Sequence, residues 1–401
     1  MWSMKDRIGR YSARKRTLGT DLDCGFWKVA RPMIRVLFVM MDLGGGGAEL
    51  SLLELLKRLD RSRVKPSLFL LRRNGIHLDQ IGTDMDVSFG YEGNARMRYH
   101  MPSILKKAVS LGSRADVIVG SMEGMPTYVA WLAAKLLRKP IIGWIRTELN
   151  EQLALLPGWH RRIARRLYPR CDAVVVPSTG SLHSLSRVTH VPAARLRTIH
   201  NPVDRSRVRA SAAERLPATG NRGQRRYVLG IGRLKNAQKG FDLLVRAHAA
   251  VRSRGIDHDL VILGEGPDRL ALEKLAQSLY VQDSLCMPGF QRNPFPWLQN
   301  ARALVAPARV DGLGRILLEA IALGVPVIGS PASGPTEVLN YGEFGIVVNH
   351  DDVDSLADAI ASILLDDGLH ARYVKLSLER SREYAPMKSV RQWEELLCWL
   401  R

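Results

Sequence analysis

Two carboxylates eight positions apart, Asp311 and Glu319, stand in the stretch RVDGLGRILLEAIALGVPVIGSPASGPTE (residues 309–337), with glycines set around the first. Asp311, Gly312 and Gly314 read as a turn, ILLEAIAL as an apolar helix carrying one acid, and Gly324 as its exit. Residues 326–328 then form a short apolar strand that ends in the small-residue loop 330–334. Free amides at residues 312–315 would project from the helix start, a place suited to an anionic or hydroxyl-rich ligand. One carboxylate then lies in the loop and the other about two turns along the helix, so the two acids can line one cleft from different depths. A structural alternative stands beside this. Arg315 and Glu319 are four apart and can form a surface ion pair worth about 0.3 kcal/mol. The helical neighbours of Glu319 are apolar, which puts the acid on a solvated stripe or in a pocket; spacing alone leaves both open.

Such a unit needs a sheet to hold it. Apolar runs at residues 33–41, 116–120, 140–145 and 172–177 alternate with helical segments, including the apolar 127–137. The pattern resumes at 227–231 and 259–263, and amphipathic helices follow at 351–365 and 385–400, the last with Trp393 and Trp399. Strands separated by helices imply a parallel sheet covered on both faces, the α/β class. The chain of 401 residues is long enough for two such domains. We divide it into a loosely ordered basic extension (1–31), a first domain (32–204), a polar linker (205–226), a second domain (227–384) and a C-terminal helix (385–401). No repeat of 20 to 50 residues is present. The first strand runs into LGGGGAEL, a strand, glycine turn and helix start that suits a phosphate. The next strand, SLFLLRR, ends in Arg72 and Arg73 where a nicotinamide site wants an acid, which disfavours a dehydrogenase.

Charge is uneven. Residues 1–205 hold 34 Lys and Arg against 17 Asp and Glu, whereas 206–401 hold 25 against 22, so nearly all of the net +20 belongs to the first half. A basic half seeks a polyanion, nucleic acid or an anionic membrane face. In PGWHRRIARRLYPR (residues 157–170), Arg161, Arg162, Arg165 and Arg166 share one side of a helix and Trp159, Ile163 and Leu167 another. That segregation suits a helix lying in lipid headgroups, or a solvated basic face whose apolar side packs on the domain. Aromatic residues are sparse in the basic segments and no nucleic-acid reader module is visible, so no nucleic-acid partner is expected. The four cysteines show no ligand spacing, which predicts neither disulfides nor zinc and a reducing, cytosolic setting. No apolar run reaches spanning length, and the N-terminus lacks a secretory core.

The 309–337 stretch, with NPFPWLQNARALVAPA before it, resembles the signature region of the retaining GT-B glycosyltransferases of family GT4: an acid, seven residues, Glu, then Gly-x-Pro-Val-Ile. The family's first acid is usually Glu, and Asp311 is shorter by one methylene. The resemblance covers most of residues 33–400. It implies two Rossmann-like domains facing a cleft, with the C-terminal helix crossing back to the first. It also implies a metal-independent hexosyl transfer from a UDP- or GDP-sugar, without cofactor. Asp311 and the amides of Gly312, Leu313 and Gly314 would hold sugar hydroxyls, and Glu319 the ribose. Arg233 and Lys239 match the family's cation pair for the diphosphate, at a spacing one residue longer than usual. Gly46, Gly47, Gly232, Gly264 and Gly266 match turns near the donor, and Phe290 lies in MPGFQ near the base unless it is only core. Where the family often places a His, this chain has Arg146; Arg146 and Glu148 would contact acceptor hydroxyls or phosphate, or pair with each other. Retention by front-face attack, with the leaving phosphate taking the acceptor proton, needs no protein nucleophile. Relatives with an NPFPWL-like stretch build bacterial surface polysaccharide on lipid-linked sugars, which implies a lipid-linked or oligosaccharide acceptor and peripheral docking at the inner membrane face. An epimerase or hydrolase on the same fold is the rival, and it would need an acid and base set that the sequence does not display.

Overall fold

The computed structural model describes residues 33–44, 46–93, 96–216, 225–349 and 351–401. The basic extension expected at 1–31 lies outside the described residues. A first sheet holds β1 (Ile34–Met40), β2 (Val64–Arg72), β3 (Asp86–Tyr91), β4 (Val117–Gly120), β5 (Ile141–Trp144), β6 (Ala173–Val176) and β7 (Leu196–Thr198), in the order β3-β2-β1-β4-β5-β6-β7. A second holds β8 (Tyr227–Ile231), β9 (Asp259–Leu263), β10 (Leu285–Gly289), β11 (Ala303–Ala306), β12 (Val327–Gly329) and β13 (Ile346–Val347), in the order β10-β9-β8-β11-β12-β13. All pairings are parallel. In each sheet the winding reverses beside its first strand, between β1 and β4 and between β8 and β11. The crevice at such a switch point, beyond the strands' carboxyl ends, is where open α/β sheets bind ligands.

Alternation along the strands feeds two cores per sheet. From β1, Val36, Phe38 and Met40 enter one cluster while Leu37 and Val39 enter the other. From the second sheet, Val228, Leu260 and Ile262 face one side and Leu229, Val261 and Leu263 the other. The helix Pro386–Trp399 does cross back onto the first sheet, where Val390, Trp393, Leu396 and Leu397 join the cluster of β1. Its Trp393 ring lies 4.4 Å from that of Trp144 and 6.4 Å from that of Phe38. Its Glu394 accepts the Asp60 amide at 2.9 Å and pairs with Arg63. The start of the segment read as a linker is a helix, Arg205–Ala212, capped by the Asp204 carboxylate with Val208 and Ala212 buried; residues 217–224 lie outside the described ones.

Candidate functional site

The second lobe builds its side of the crevice from backbone packed on backbone. The Gly232 amide donates to Leu263, that of Gly264 to Gly289, and that of Leu234 to Glu265, so the loops after β8, β9 and β10 are laced together. A side chain is excluded there: a Cβ on Gly264 would fall 1.9 Å from the Gly232 carbonyl oxygen, and one on Gly266 2.3 Å from that of Leu234. At this floor Lys239 Nζ reaches Asp311 Oδ2 at 2.8 Å, with both side chains partly exposed. Gly232 adjoins the Lys239 stem, so the glycine turns, the cation and the acid are neighbours. Arg233 is exposed on the same loop and Phe290 is half exposed, so Phe290 is not a core residue. Leu313 is buried in the second-lobe core.

Glu319 has the partner that spacing allowed, but not on the surface. Arg315 Nε donates to Glu319 Oε1 at 2.8 Å with both side chains under a tenth exposed. The pair lies on the lobe boundary, since Arg315 Nη1 also donates to the Pro202 carbonyl at 3.1 Å and approaches Ser51 Oγ at 3.4 Å. Gly47, from the first-lobe glycine turn, packs against the Arg315 stem. Burial pushes the Glu319 carboxyl up while Arg315 pulls it down. Gly46 starts the helix Gly47–Arg58 and lies beneath the carboxylate of Glu49, which burial also pushes up.

Arg146 and Glu148 do not pair with each other. The Arg146 amide and the Thr147 hydroxyl are both held by Glu123, at 2.9 and 2.8 Å, and Arg146 Nη2 donates to the Ala48 carbonyl at 2.6 Å. Glu148 instead crosses to the second lobe, accepting the Ser333 amide at 2.8 Å and bonding its hydroxyl. Burial raises the Glu148 carboxyl to about 7, with Glu151 and Asp311 adding to the rise and the Ser333 amide opposing it. Close by, Ser178 Oγ donates to the Gly312 carbonyl at 2.6 Å, and Glu337 accepts the Thr179 amide at 2.6 Å while lying 2.8 Å from His200 Nε2. The reading of the sequence missed Glu123, Ser178, Ser333 and Glu337. Glu123 had a signal, an acid in the loop just after an apolar strand; the others act only through contacts that bring distant segments together.

The basic helix, Gly158–Leu167, divides differently from the expectation. Trp159 and Ile163 are exposed, but Leu167 is buried; Arg162, Arg165 and Arg166 face solvent, while Arg161 donates to Asn150 at 2.9 Å. Leu167 turns inward because the helix packs its Ala164 and Leu167 edge on the first-lobe core. Among the described residues, no helix is long and apolar enough to cross a membrane and no group of three or more His, Cys, Asp or Glu is placed to hold a metal ion.

Two family models match the chain, "Glycosyltransferase Family 4" over residues 45–207 and "Glycosyl transferases group 1" over 213–379. Among curated proteins it is similar to the N-acetylgalactosamine-N,N'-diacetylbacillosaminyl-diphospho-undecaprenol 4-alpha-N-acetylgalactosaminyltransferase of Campylobacter jejuni, with 26% identity over 56% of this chain and 60% of that one. It is similar also to the GDP-mannose-dependent alpha-(1-6)-phosphatidylinositol monomannoside mannosyltransferase of Mycobacterium tuberculosis, at 34% over 52% of this chain and 58% of that one. The chain thus spans about 60% of the length of these curated relatives. Among solved structures, Anabaena HepE in complex with UDP-glucose superposes with a TM-score of 0.75 at 18% identity, over 91% of this chain and 99% of that one. The Thermosynechococcus elongatus sucrose-phosphate synthase gives 0.75 at 19% over 92% and 99%, so both share the fold.

Proposed function

The chain belongs to glycosyltransferase family 4, the glycosyl transferases group 1, and on that premise we propose that it transfers a sugar, with retention, from a nucleotide-diphosphate sugar to a lipid-linked or polysaccharide acceptor. The observation that carries the reading is the second-lobe floor, where Lys239 and Asp311 meet 2.8 Å apart beside the laced glycine turns. Lys239, with Arg233 on the same loop, neutralises the charge that grows on the leaving diphosphate, the electrostatic work that metal ions do in other transferases. The donor displaces the Lys239 to Asp311 contact, which frees the carboxylate for sugar hydroxyls while the amides of residues 312–314 bind the same sugar. Glu319, held by Arg315, offers its remaining oxygen to the ribose hydroxyls. The leaving phosphate takes the acceptor proton. HepE was solved with UDP-glucose and the mycobacterial relative uses GDP-mannose, which makes UDP- and GDP-sugars the donors to try first.

The acceptor side is the basic first lobe, docked peripherally on the inner face of the cell membrane through Trp159, Ile163, Arg162, Arg165 and Arg166. Flotation with anionic liposomes at low salt tests this part, and no binding there would remove it. The donor reading is tested by thermal shift against UDP-, GDP- and ADP-sugars, since a bound donor stabilises by mass action. One nucleotide series should raise the melting temperature, and Lys239→Met should abolish the rise. If no nucleotide shifts the wild-type protein, the transferase reading falls.

A further inference from the structure

Arg146 is a buried cation with hydrogen-bonding capacity left over. It is 6% exposed, its Nη2 is spent on the Ala48 carbonyl, and its guanidinium carbon lies 3.8 Å from the centre of the Trp144 ring. Its Nε and Nη1 are buried with no acceptor. An unmade hydrogen bond at a buried donor is costly, more so when the donor is charged. Two acids lie near, yet neither bonds the guanidinium: Glu123 spends its oxygens on the Arg146 amide and the Thr147 hydroxyl, and Glu49 is folded over Gly46. Their field does not offset the burial, which brings the Arg146 proton affinity down to about 9 against the pull of Glu123 and Glu49.

A sugar hydroxyl would fill the open N–H groups and leave the charge undercompensated, whereas an oxyanion repairs both deficits. The residue also stands at the lobe boundary. A Cβ on Gly312 would lie 2.6 Å from the Arg146 carbonyl oxygen, so the loop that carries Asp311 docks against its backbone. We propose that Arg146 forms a first-lobe subsite for a substrate oxyanion, a carboxylate or a phosphoryl group, separate from the Arg233 and Lys239 cations assigned to the donor diphosphate. The proposal deepens the transferase reading by adding a negatively charged group to the sugar or acceptor bound opposite the second lobe. Glu49 competes for the same place, because its carboxylate attracts the Arg146 charge without hydrogen-bonding the guanidinium.

Sodium phosphate and sodium acetate, titrated at fixed ionic strength into the full chain, test it, with tryptophan fluorescence as the readout and Trp144→Phe to identify the reporter. A saturable response is expected in the wild type and in Arg233→Met, at least tenfold weaker in Arg146→Met, partly kept in Arg146→Lys, and tighter in Glu49→Gln. Saturation by phosphate alone assigns a phosphoryl group, and saturation by acetate a carboxylate. The subsite is overturned if neither anion saturates the wild type, if Arg146→Met responds undiminished, or if Glu49→Gln leaves the affinity unchanged. Circular dichroism melts show whether Arg146→Met folds; if it does not, Arg146→Lys and Glu49→Gln carry the test. An anion response without any nucleotide shift would sink the transferase reading while leaving the subsite standing.

Discussion

Arg315 and Glu319 show how one helical turn can carry both a family motif and a lobe contact. The pair is buried, so removing one member strands the other's charge in a poorly solvated place, at a cost of about 3–5 kcal/mol, while replacing both with apolar groups is near neutral. Arg315→Met should therefore lower stability by that order in urea unfolding, and Arg315→Met with Glu319→Leu should recover most of the loss; a single-variant loss below about 1 kcal/mol would contradict the burial argument. The pair itself was legible, because four-residue spacing on a helix makes neighbours. Its burial was not, because the cover comes from Ser51 and Pro202, 264 and 113 positions away. The same holds for Lys239 and Asp311, 72 positions apart. Sequence proposed each for the site and could not say that they pair with each other.

Secondary-structure elements were legible where burial on both faces leaves nothing but apolar residues, as in VIVG of β4, IIGW of β5 and AVVV of β6. The edge strands β3, β7 and β13 escaped notice because they are half covered or short, and their sequences DVSFGY, LRT and IV carry no sustained pattern. The last helix was legible from its amphipathic pattern and its crossing from the family resemblance, but of its two tryptophans Trp393 is a core residue and Trp399 is more than half exposed. Trp393→Ala should cost about 3–5 kcal/mol and Trp399→Ala much less; equal losses in denaturant melts would mean the helix is not anchored as described. A second packing device lies between the helix Phe241–Ser253 and β9. Ser284 Oγ lies 2.8 Å from His248 Nε2, His248 Nδ1 lies 2.9 Å from His258 Nε2, and His258 Nδ1 lies 3.2 Å from the Ile256 carbonyl. That carbonyl can only accept, so with both rings neutral the protons run one way along these three bonds, and the single Ser284 proton goes to His248 rather than to the Val281 carbonyl 3.1 Å away. Burial lowers His248 to about 3, with His258 adding to the effect, and burial lowers His258 as well. Folded pKa values below the unfolded value mean stability that is present above about pH 6.5 and lost as pH falls, at up to about 1.4 kcal/mol per unit for each proton taken up. Ring-nitrogen NMR should show His248 neutral at pH 5 and His258 titrating below an ordinary histidine; ordinary titration of both near 6.5 would sink this.

The lobes of the whole molecule meet through glycines whose backbone does not require glycine. Neither Gly180 nor Gly312 has a positive φ. Yet a Cβ on Gly180 would fall 1.9 Å from Ser333 Cβ, and one on Gly312 2.6 Å from the Arg146 carbonyl oxygen. Each space is filled by the opposite lobe, so the absent side chain serves the docking of the lobes and not the fold of either. The bonds from Ser178 to Gly312, from Ser333 to Glu148 and from Thr179 to Glu337 surround these two points, which makes the contact a fitted surface. None of this was legible in a single sequence, since a glycine at a helix start reads as local punctuation unless the partner surface is known. A valine at position 180 should then leave each lobe folded, since valine is no worse a helix former than glycine, while preventing close approach. Gly158→Val is the matched control, because it too opens a helix and nothing lies within 4 Å of its Cβ position. Small-angle scattering should give a larger radius of gyration for Gly180→Val than for the wild type and Gly158→Val, with far-ultraviolet circular dichroism unchanged in all three. Equal radii would mean that the lobes tolerate a side chain at that point, and the docked surface would then owe nothing to the missing one.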